Sequence, residues 1–312
     1  MKTVAMITGR ANDFSLDKPM KDKNIDNSYI LMSKIAGKYG LKLVFGNPLW
    51  VKKGYLEKGW FYDKKWRKFK NKKIDYIYRF FSPLFKKYKK SVKEIEKIPG
   101  MNPTKFDILC WDKLKTYKLV KKFSPKTYKI KSKKYLLKKA KLIKSKKVII
   151  KPKRGIRGLG VEIINKKNLI HWEFKKGMIL QEFIDMAKGV PKFNIKGSHD
   201  LRILMINGKI DHCYFRIAKK GSMLANCAKG ATKKIIDIEH IPKEVLNIVE
   251  RINEKLKYYP RVNSIDFVFK NGKIPLVLEL ESQPGFFYYT KKQEKYRINY
   301  FNNLFKAIKE LI

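Results

Sequence analysis

One stretch of the chain reads VNSIDFVFKNGKIPLVLELE, from Val262 to Glu281. It predicts a β-hairpin, because two apolar runs flank the pair Asn271-Gly272, which readily adopts the backbone angles of a tight turn. Asp266 and Glu279 lie on opposite strands of this hairpin, so antiparallel pairing brings them close together. Glu281 follows two residues after Glu279 and therefore points to the same face.

These three carboxylates stand in a chain with 27 Asp+Glu against 74 Lys+Arg. Converging carboxylates are costly unless a cation neutralises them, and hard oxygen ligands suit Mg²⁺, with Mn²⁺ as the alternative. The hairpin therefore predicts a metal site formed by Asp266, Glu279 and Glu281. A solvated hairpin whose acids pair with surrounding lysines is the other interpretation of the same residues.

A second stretch, at 148–161, reads VIIKPKRGIRGLGV. Gly155, Gly158 and Gly160 allow the backbone to approach an anion closely and to present N–H groups to phosphate oxygens. Lys151, at the end of a predicted buried strand, supplies a positive charge. The stretch is not a P-loop, because the GK[ST] ending is missing, and its GxxGxG spacing is not that of a dinucleotide-binding fingerprint.

The 312 residues carry a formal net charge of +47, yet 44% of them are apolar and 13% aromatic. That apolar content supports a buried core and excludes a disordered chain. The charge has two explanations: codon bias, or an acidic partner such as RNA, a membrane surface or a polyanionic substrate. Basic residues interleave with aromatic ones at 64–73 and 86–90, which suits contact with phosphates and stacked bases.

The cysteines indicate the compartment. Cys110, Cys213 and Cys227 form no CxxC pair, so we expect no zinc or iron–sulfur site and a reducing environment. No apolar run reaches the roughly 18–20 residues of a membrane-spanning helix. The sequence therefore predicts a cytoplasmic protein without integral membrane association.

The order of predicted elements indicates a mixed α/β (α+β) chain. Strands at 3–7, 41–45 and 74–78 and a helix at 30–39 suggest a small, mostly parallel α/β unit that ends near a turn-rich segment at 98–103. Further predicted elements are a helix at 113–123, strands at 148–150 and 178–184, a hairpin at 201–217 and a helix at 242–256.

Taken in order, these features resemble the ATP-grasp superfamily, and especially its glutathione-synthetase-like, glutamate-ligase-like and endospore coat-associated branches. The resemblance covers roughly residues 100–290 and rests on the ordered set of positions. Those positions are Lys113 in Trp111-Asp-Lys113, Lys151, Gln181-Glu-Phe-Ile184, Asp200-Leu-Arg202, Arg216, Asn226 and the Asp266/Glu279 pair.

The resemblance implies two α+β lobes that hold ATP between them, preceded by a small parallel α/β domain. We expect the preceding domain at 1–105, the small lobe with the glycine-rich phosphate loop at 106–190, and the large lobe with the metal-binding hairpin at 191–312.

The resemblance also implies roles for single residues. The expected nucleotide contacts are Lys113 and Lys151 with the loop glycines on the phosphates, Gln181, Glu182, Phe183 and Ile184 at the adenine, and Asp200 on the ribose. Arg202, Arg216 and Asn226 form the implied catalytic set, in which the planar forks of the arginines suit a γ-phosphate and a substrate carboxylate. Glu281 departs from the family, which usually has asparagine there, and adds negative charge beside the phosphates.

The implied activity is an ATP- and Mg²⁺-dependent carboxylate–amine ligase that forms an acylphosphate and releases ADP and phosphate. Two alternatives stay open: an ATP-grasp kinase or phosphotransferase acting on RNA or another polyanion, and a catalytically degenerate basic binding or coat protein. The expected partners are ATP, a carboxylate substrate and an amine acceptor. An acidic macromolecular substrate and a homo-oligomer are open alternatives.

Overall fold

The computed structural model describes residues 1–11, 13–155, 158–223, 225, 230–287 and 289–312. Within these ranges the chain forms three β-sheets with α-helices packed against them, a mixed α+β architecture as predicted. No helix of the described residues combines the length and the apolar character that crossing a bilayer requires.

The first sheet is parallel at its centre. Its strands are β1 (Lys2–Thr8), β2 (Leu41–Gly46), β3 (Val51–Lys52), β4 (Tyr55–Asp63), β5 (Lys65–Lys73), β6 (Tyr76–Phe80) and β7 (Gly100–Met101). They lie in the order β3-β4-β2-β1-β6-β7, with β5 paired to β4. The β1/β2, β1/β6 and β6/β7 pairs are parallel, but β3, β4 and β5 pair antiparallel. The unit is therefore mixed rather than mostly parallel.

The hairpin of β4 and β5 accounts for the basic and aromatic stretch at 64–73. Trp66 packs its ring 5.4 Å from that of Phe45 and donates a hydrogen bond to Asp26 at 2.9 Å. Phe69 packs 6.4 Å from Phe61. Both rings of the stretch are half-buried and pack on other aromatic rings of the protein, which reduces the surface on which bases could stack.

Two helices cover the first sheet: α1 (Lys23–Lys38) and α2 (Lys89–Ile95). Helix α1 begins before the predicted start at residue 30 because Asp22 caps it, accepting hydrogen bonds from the backbone of Asn24 and Ile25. Gly40, at φ +70°, lies just beyond the helix and allows the chain to turn into β2.

The second sheet is smaller and antiparallel. Two helices precede it, α3 (Thr104–Trp111) and α4 (Lys113–Val120). The sheet and its helix comprise β8 (Thr127–Lys129), α5 (Lys133–Lys141), β9 (Lys147–Pro152), β10 (Glu162–Asn165) and β11 (Met178–Glu182). The strand order is β10-β9-β11-β8, and α5 places Leu136 in a core with Val148 and Leu180.

The third sheet contains both predicted hairpins. Its elements are β12 (His199–Ile206), β13 (Lys209–Ile217), β14 (Thr232–Ile236), α6 (Lys243–Lys255), β15 (Val262–Lys270) and β16 (Ile274–Glu281). The order is β14-β13-β12-β15-β16. Asn207-Gly208 has positive φ at both positions, as a two-residue hairpin turn between Ile206 and Lys209 requires. Asn271-Gly272 also has positive φ at both positions, but Lys270 pairs with Ile274, so this turn includes Lys273 as a third residue. Both hairpins are confirmed.

The last helix, α7 (Glu294–Lys309), packs the third sheet against the first. Its Phe301 and Leu304 share one core with Tyr29 and Met32 of α1 and with Leu204 of β12. The carboxyl-terminal helix therefore ties the amino-terminal sheet to the sheet that carries the acidic hairpin.

Gly59 provides a test of the β4 packing. A Cβ there would lie 2.4 Å from the carbonyl oxygen of Phe45 and 2.9 Å from Phe69, so we expect Gly59→Ala to destabilise the protein by about 1–3 kcal/mol. Gly37 in α1 is the matched control, because its Cβ would meet no atom within 4 Å. Gly37→Ala should stabilise by about 0.5–1 kcal/mol. Urea midpoints measure both effects, and equal midpoints for the two variants would contradict the packing described.

Candidate functional site

A cavity of about 580 Å³ is lined by residues from all three sheets. That volume lies in the range of small-molecule sites. One end is formed by the second and third sheets, which contribute Lys151 of β9 and Glu279 of β16. The other end reaches Gly9 and Phe81, which follow the parallel strands β1 and β6. We call these the nucleotide end and the amino-terminal end.

Two lysines face one carboxylate at the nucleotide end. Asp112 caps α4 by accepting from the backbone of Leu114 and Lys115, so Lys113 is placed at the first position of that helix. The Nζ of Lys113 lies 2.9 Å from Glu279 and donates to the carbonyl oxygen of Gly155 at 2.8 Å.

Burial and neighbouring charges have opposite effects on the pKa values of this group. Burial lowers the pKa of Lys151 to about 8, although the charge of Glu279 opposes the shift. Burial alone would raise the pKa of Glu279, but the charges of Lys113 and Lys151 outweigh it and lower that pKa. The three side chains therefore form a partly compensated site with one surplus cation, which suits an anionic ligand.

Beside this group, cross-strand pairing builds an arginine–carboxylate cluster. Arg202 donates to both oxygens of Asp266, at 2.8 and 2.7 Å, and its Nη2 also lies 2.6 Å from Glu281. Arg216 donates to both oxygens of Asp200, at 2.6 and 2.9 Å, and to Asp266 at 2.7 Å. Bidentate contacts of this kind hold the guanidinium planes in one orientation.

The register of the third sheet brings these groups together. Arg202 pairs with Asp266 across β12 and β15, Asp200 with Arg216 across β12 and β13, and Asp266 with Glu279 across β15 and β16. Directly opposed residues share a face, so all five side chains point to the same side of the sheet.

The pKa values differ within the cluster because each acid has different neighbours. Burial raises the pKa of Asp200 to about 6, with Arg216 opposing the shift and Asp266 adding to it. Burial would also raise the pKa of Asp266, but Arg202 and Arg216 outweigh it and lower that pKa. Burial raises the pKa of Glu281, against the opposing charge of Arg202.

The cavity wall includes most of the predicted nucleotide contacts. They are Lys113, Lys151, Gly155, Gly158, Glu182, Phe183, Ile184 and Asp200, together with Arg202, Arg216, Glu279 and Glu281. Gln181 instead donates to Thr127 within the second sheet, where its strand pairs on both sides, so its side chain does not face the cavity. Asn226 lies outside the described residues. Gly160, at φ +68°, would bring a Cβ within 3.0 Å of Pro152 and serves the turn.

The acids differ in their access to a metal ion. The side chains of Glu279 and Glu281 are 34% and 37% exposed, whereas that of Asp266 is 1% exposed. Their carboxylate oxygens fit the hard-donor preference of Mg²⁺. The oxygens of Asp266 are instead engaged by Arg202 and Arg216. In this geometry Glu279 and Glu281 are accessible for direct contact with a cation, whereas Asp266 holds the arginines.

Sequence reasoning missed two parts of the site. Asp112 carries a recognisable signal, an aspartate immediately before a predicted helix, but its second contact with Lys153 at 2.9 Å is tertiary. The amino-terminal end is lined by aromatic residues from distant segments, including Phe85, Trp111 and Phe287. No local pattern connects those three positions.

A cavity between two α+β lobes, with lysines facing carboxylates at one end, defines a nucleotide-binding protein of the ATP-grasp class. The chain belongs to the RimK-like ATP-grasp family, whose domain model matches residues 110–308. A comparison with curated protein sequences gave no match.

Solved structures show the same fold over the whole chain. D-alanyl-alanine synthetase A from Vibrio cholerae is 11% identical with a TM-score of 0.64, covering 100% of this chain and 99% of that one. A RimK domain ATP-grasp protein from Sphaerobacter thermophilus is 12% identical with a TM-score of 0.62, covering 97% and 98%. A RiPP-associated ATP-grasp ligase from Chryseobacterium gregarium, solved with ADP and a leader and core peptide, is 14% identical with a TM-score of 0.60, covering 98% and 97%.

Proposed function

We propose that this protein is an ATP- and Mg²⁺-dependent ligase that joins a carboxylate to an amine through an acylphosphate. The observation that carries the proposal is the pairing of Lys113, Lys151 and Glu279 with the Arg202–Arg216 cluster in one cavity. Membership of the ATP-grasp family and the ligase names of the structural neighbours support it.

The lysines bind the nucleotide phosphates. Lys113 and Lys151 neutralise phosphate charge, and the backbone near Gly155 and Gly158 approaches the phosphate oxygens. Phe183 and Ile184 lie at the adenine, where the chain leaves β11. Asp200 is proposed to reach the ribose, although both of its oxygens accept from Arg216 in this structure.

Glu279 and Glu281 hold Mg²⁺, with Mn²⁺ as a substitute. When bound, the metal neutralises charge on the transferring phosphoryl group. Arg202 and Arg216, oriented by Asp266, face the γ-phosphate and the carboxylate of the acyl donor, where their fixed forks stabilise negative charge. Asn226 completes the proposed catalytic set.

The reaction proceeds in two balanced steps. An oxygen of the donor carboxylate attacks the γ-phosphorus, the bond from that phosphorus to the bridging oxygen of ADP breaks, and ADP leaves. The amine then attacks the acyl carbon and loses a proton, and inorganic phosphate departs with the bonding electrons. Positioning and charge neutralisation supply the catalysis, without a covalent enzyme intermediate.

Hydroxylamine provides a test that does not require the natural amine. It intercepts an acylphosphate to give a hydroxamate, so purified protein with ATP, Mg²⁺ and a panel of amino acids and peptide acids should form one hydroxamate for each ADP released. Transfer of label from γ-³²P-ATP to a macromolecule, without hydroxamate, would instead indicate the phosphotransferase alternative. Failure to bind ATP would indicate the degenerate binding protein.

The boundaries at 105 and 190 are proposed as the limits of the preceding domain, the small lobe and the large lobe. These two boundaries separate the three sheets. The first sheet ends with β7 at Met101, and the second sheet ends with β11 at Glu182. Helix α7, which packs on α1, joins the large lobe to the preceding domain.

A further inference from the structure

The amino-terminal end of the cavity has an aromatic wall, formed by Phe81, Phe85, Tyr88, Trp111 and Phe287. The ring of Phe85 lies 6.1 Å from Tyr88 and 6.1 Å from Trp111, and Phe81 lies 5.3 Å from Tyr88. Phe85 is 49% exposed although it is a large apolar side chain. Exposed aromatic surface inside a cavity is a feature of ligand-binding sites.

The sheet topology places this wall where a ligand is expected. β1 and β6 are parallel, with Thr8 opposite Phe80, so the segments that follow both strands leave the sheet at the same edge. Open α/β sheets bind ligands at the carboxyl ends of their strands. Gly9 lets the segment after β1 pack closely against the aromatic residues of this edge, because a Cβ there would lie 3.0 Å from the hydroxyl oxygen of Tyr88.

Two cations border this aromatic wall. Arg10 lies 5.2 Å from the ring of Phe287, and Lys87 lies 4.9 Å from the ring of Tyr88. The described lining therefore combines aromatic surface with positive charge, which suits an acid that carries an apolar side chain.

We propose that the acyl donor is a carboxylic acid with an aromatic or large apolar side chain. The proposal rests on the ligase function above. The side chain of the donor packs on Phe85 and Trp111, and its carboxylate points to Arg202 and Arg216.

Two probes test this proposal: N-acetyl-Gly-Gly-Phe and N-acetyl-Gly-Gly-Ala. With ATP, Mg²⁺ and hydroxylamine, the first should form hydroxamate at least about tenfold faster than the second, because one aromatic ring adds substantial buried apolar area. Equal rates for the two peptides would overturn the proposal.

Phe85→Ala tests the wall directly, and Phe174→Ala is its matched control, because Phe174 is a similarly exposed aromatic residue outside the cavity. Phe85→Ala should reduce the preference for phenylalanine over alanine to near unity without changing the Kd for ADP. Phe174→Ala should keep the preference. An unchanged preference in Phe85→Ala contradicts the assignment of the wall.

Calorimetric titration of the same peptides into the ADP complex separates this proposal from the ligase function. Preferential binding of the phenylalanine peptide, lost in Phe85→Ala, upholds the aromatic wall even if no hydroxamate forms, in which case the ligase proposal fails. Equal binding of both peptides, together with hydroxamate from other acids, overturns the wall and leaves the ligase proposal intact.

Discussion

Glu279→Gln should reduce ligase turnover at least about 100-fold while metal-free ADP binds as tightly as before, or tighter. Glutamine keeps the size and hydrogen-bonding capacity of the side chain but removes the charge that Lys113 contacts at 2.9 Å. Both Lys113 and Lys151 then lack their nearest carboxylate, so their positive charges act fully on the nucleotide. The metal site meanwhile loses one of its two accessible carboxylates.

The experiment is informative because turnover should fall while the affinity for ADP should not. Damage to the fold would weaken nucleotide binding and turnover together, whereas loss of a metal ligand weakens turnover alone. Calorimetry with ADP in EDTA measures the first, and ADP release with ATP and Mg²⁺ measures the second. Glu239→Gln is the control, because Glu239 is an exposed acid outside the cavity. Turnover at the wild-type rate in Glu279→Gln would show that the metal assignment is wrong.

Asp266→Asn should lower the free energy of unfolding by about 3 kcal/mol, because it breaks a buried ion cluster by removing one partner. Three guanidinium N–H groups from Arg202 and Arg216 point at the two oxygens of Asp266. Asparagine offers one oxygen and turns an N–H₂ donor toward the remaining guanidinium donors. Urea unfolding measures the loss, and turnover should fall as well because Arg202 and Arg216 lose the acceptor that orients them both.

The control for this variant is an exposed pair. Lys52 and Glu57 lie 3.5 Å apart with most of Lys52 and about half of Glu57 exposed. Glu57→Gln should change stability by less than about 1 kcal/mol, since solvent screens the pair. If Asp266→Asn and Glu57→Gln have the same urea midpoint, the cluster does not contribute to stability as described.

Local chemistry made the acidic hairpin predictable. Asn271-Gly272 suits a tight turn, and the alternation of a strand determines which side chains share a face. Asp266 and Glu279 pair directly across β15 and β16, as predicted. The glycine-rich stretch after Lys151 was recognisable for a similar reason, because its signal lies within a few consecutive residues.

Other features had no local signal. The stretch at 64–73 reads as a charged segment, and only pairing with β4 shows that Trp66 and Phe69 face neighbouring aromatic rings. Helix α7 belongs by sequence to the carboxyl-terminal lobe, yet its apolar face is shared with α1. The hydrophobic effect has no preferred direction, so the sequence of an apolar helix face does not indicate which other element covers it.

The sequence by itself determined the hairpins, the start of α4 at Lys113, and a set of charged residues whose order marks the ATP-grasp family. Only the tertiary structure decided which acid meets which cation. Asp266 faces two arginines because β15 pairs with β12, whereas Glu279 meets Lys113 because the end of β16 approaches the start of α4. The pKa of an acid depends on burial and on charges a few ångströms away. Asp266 and Glu279, two acids on adjacent strands of one sheet, therefore have different roles.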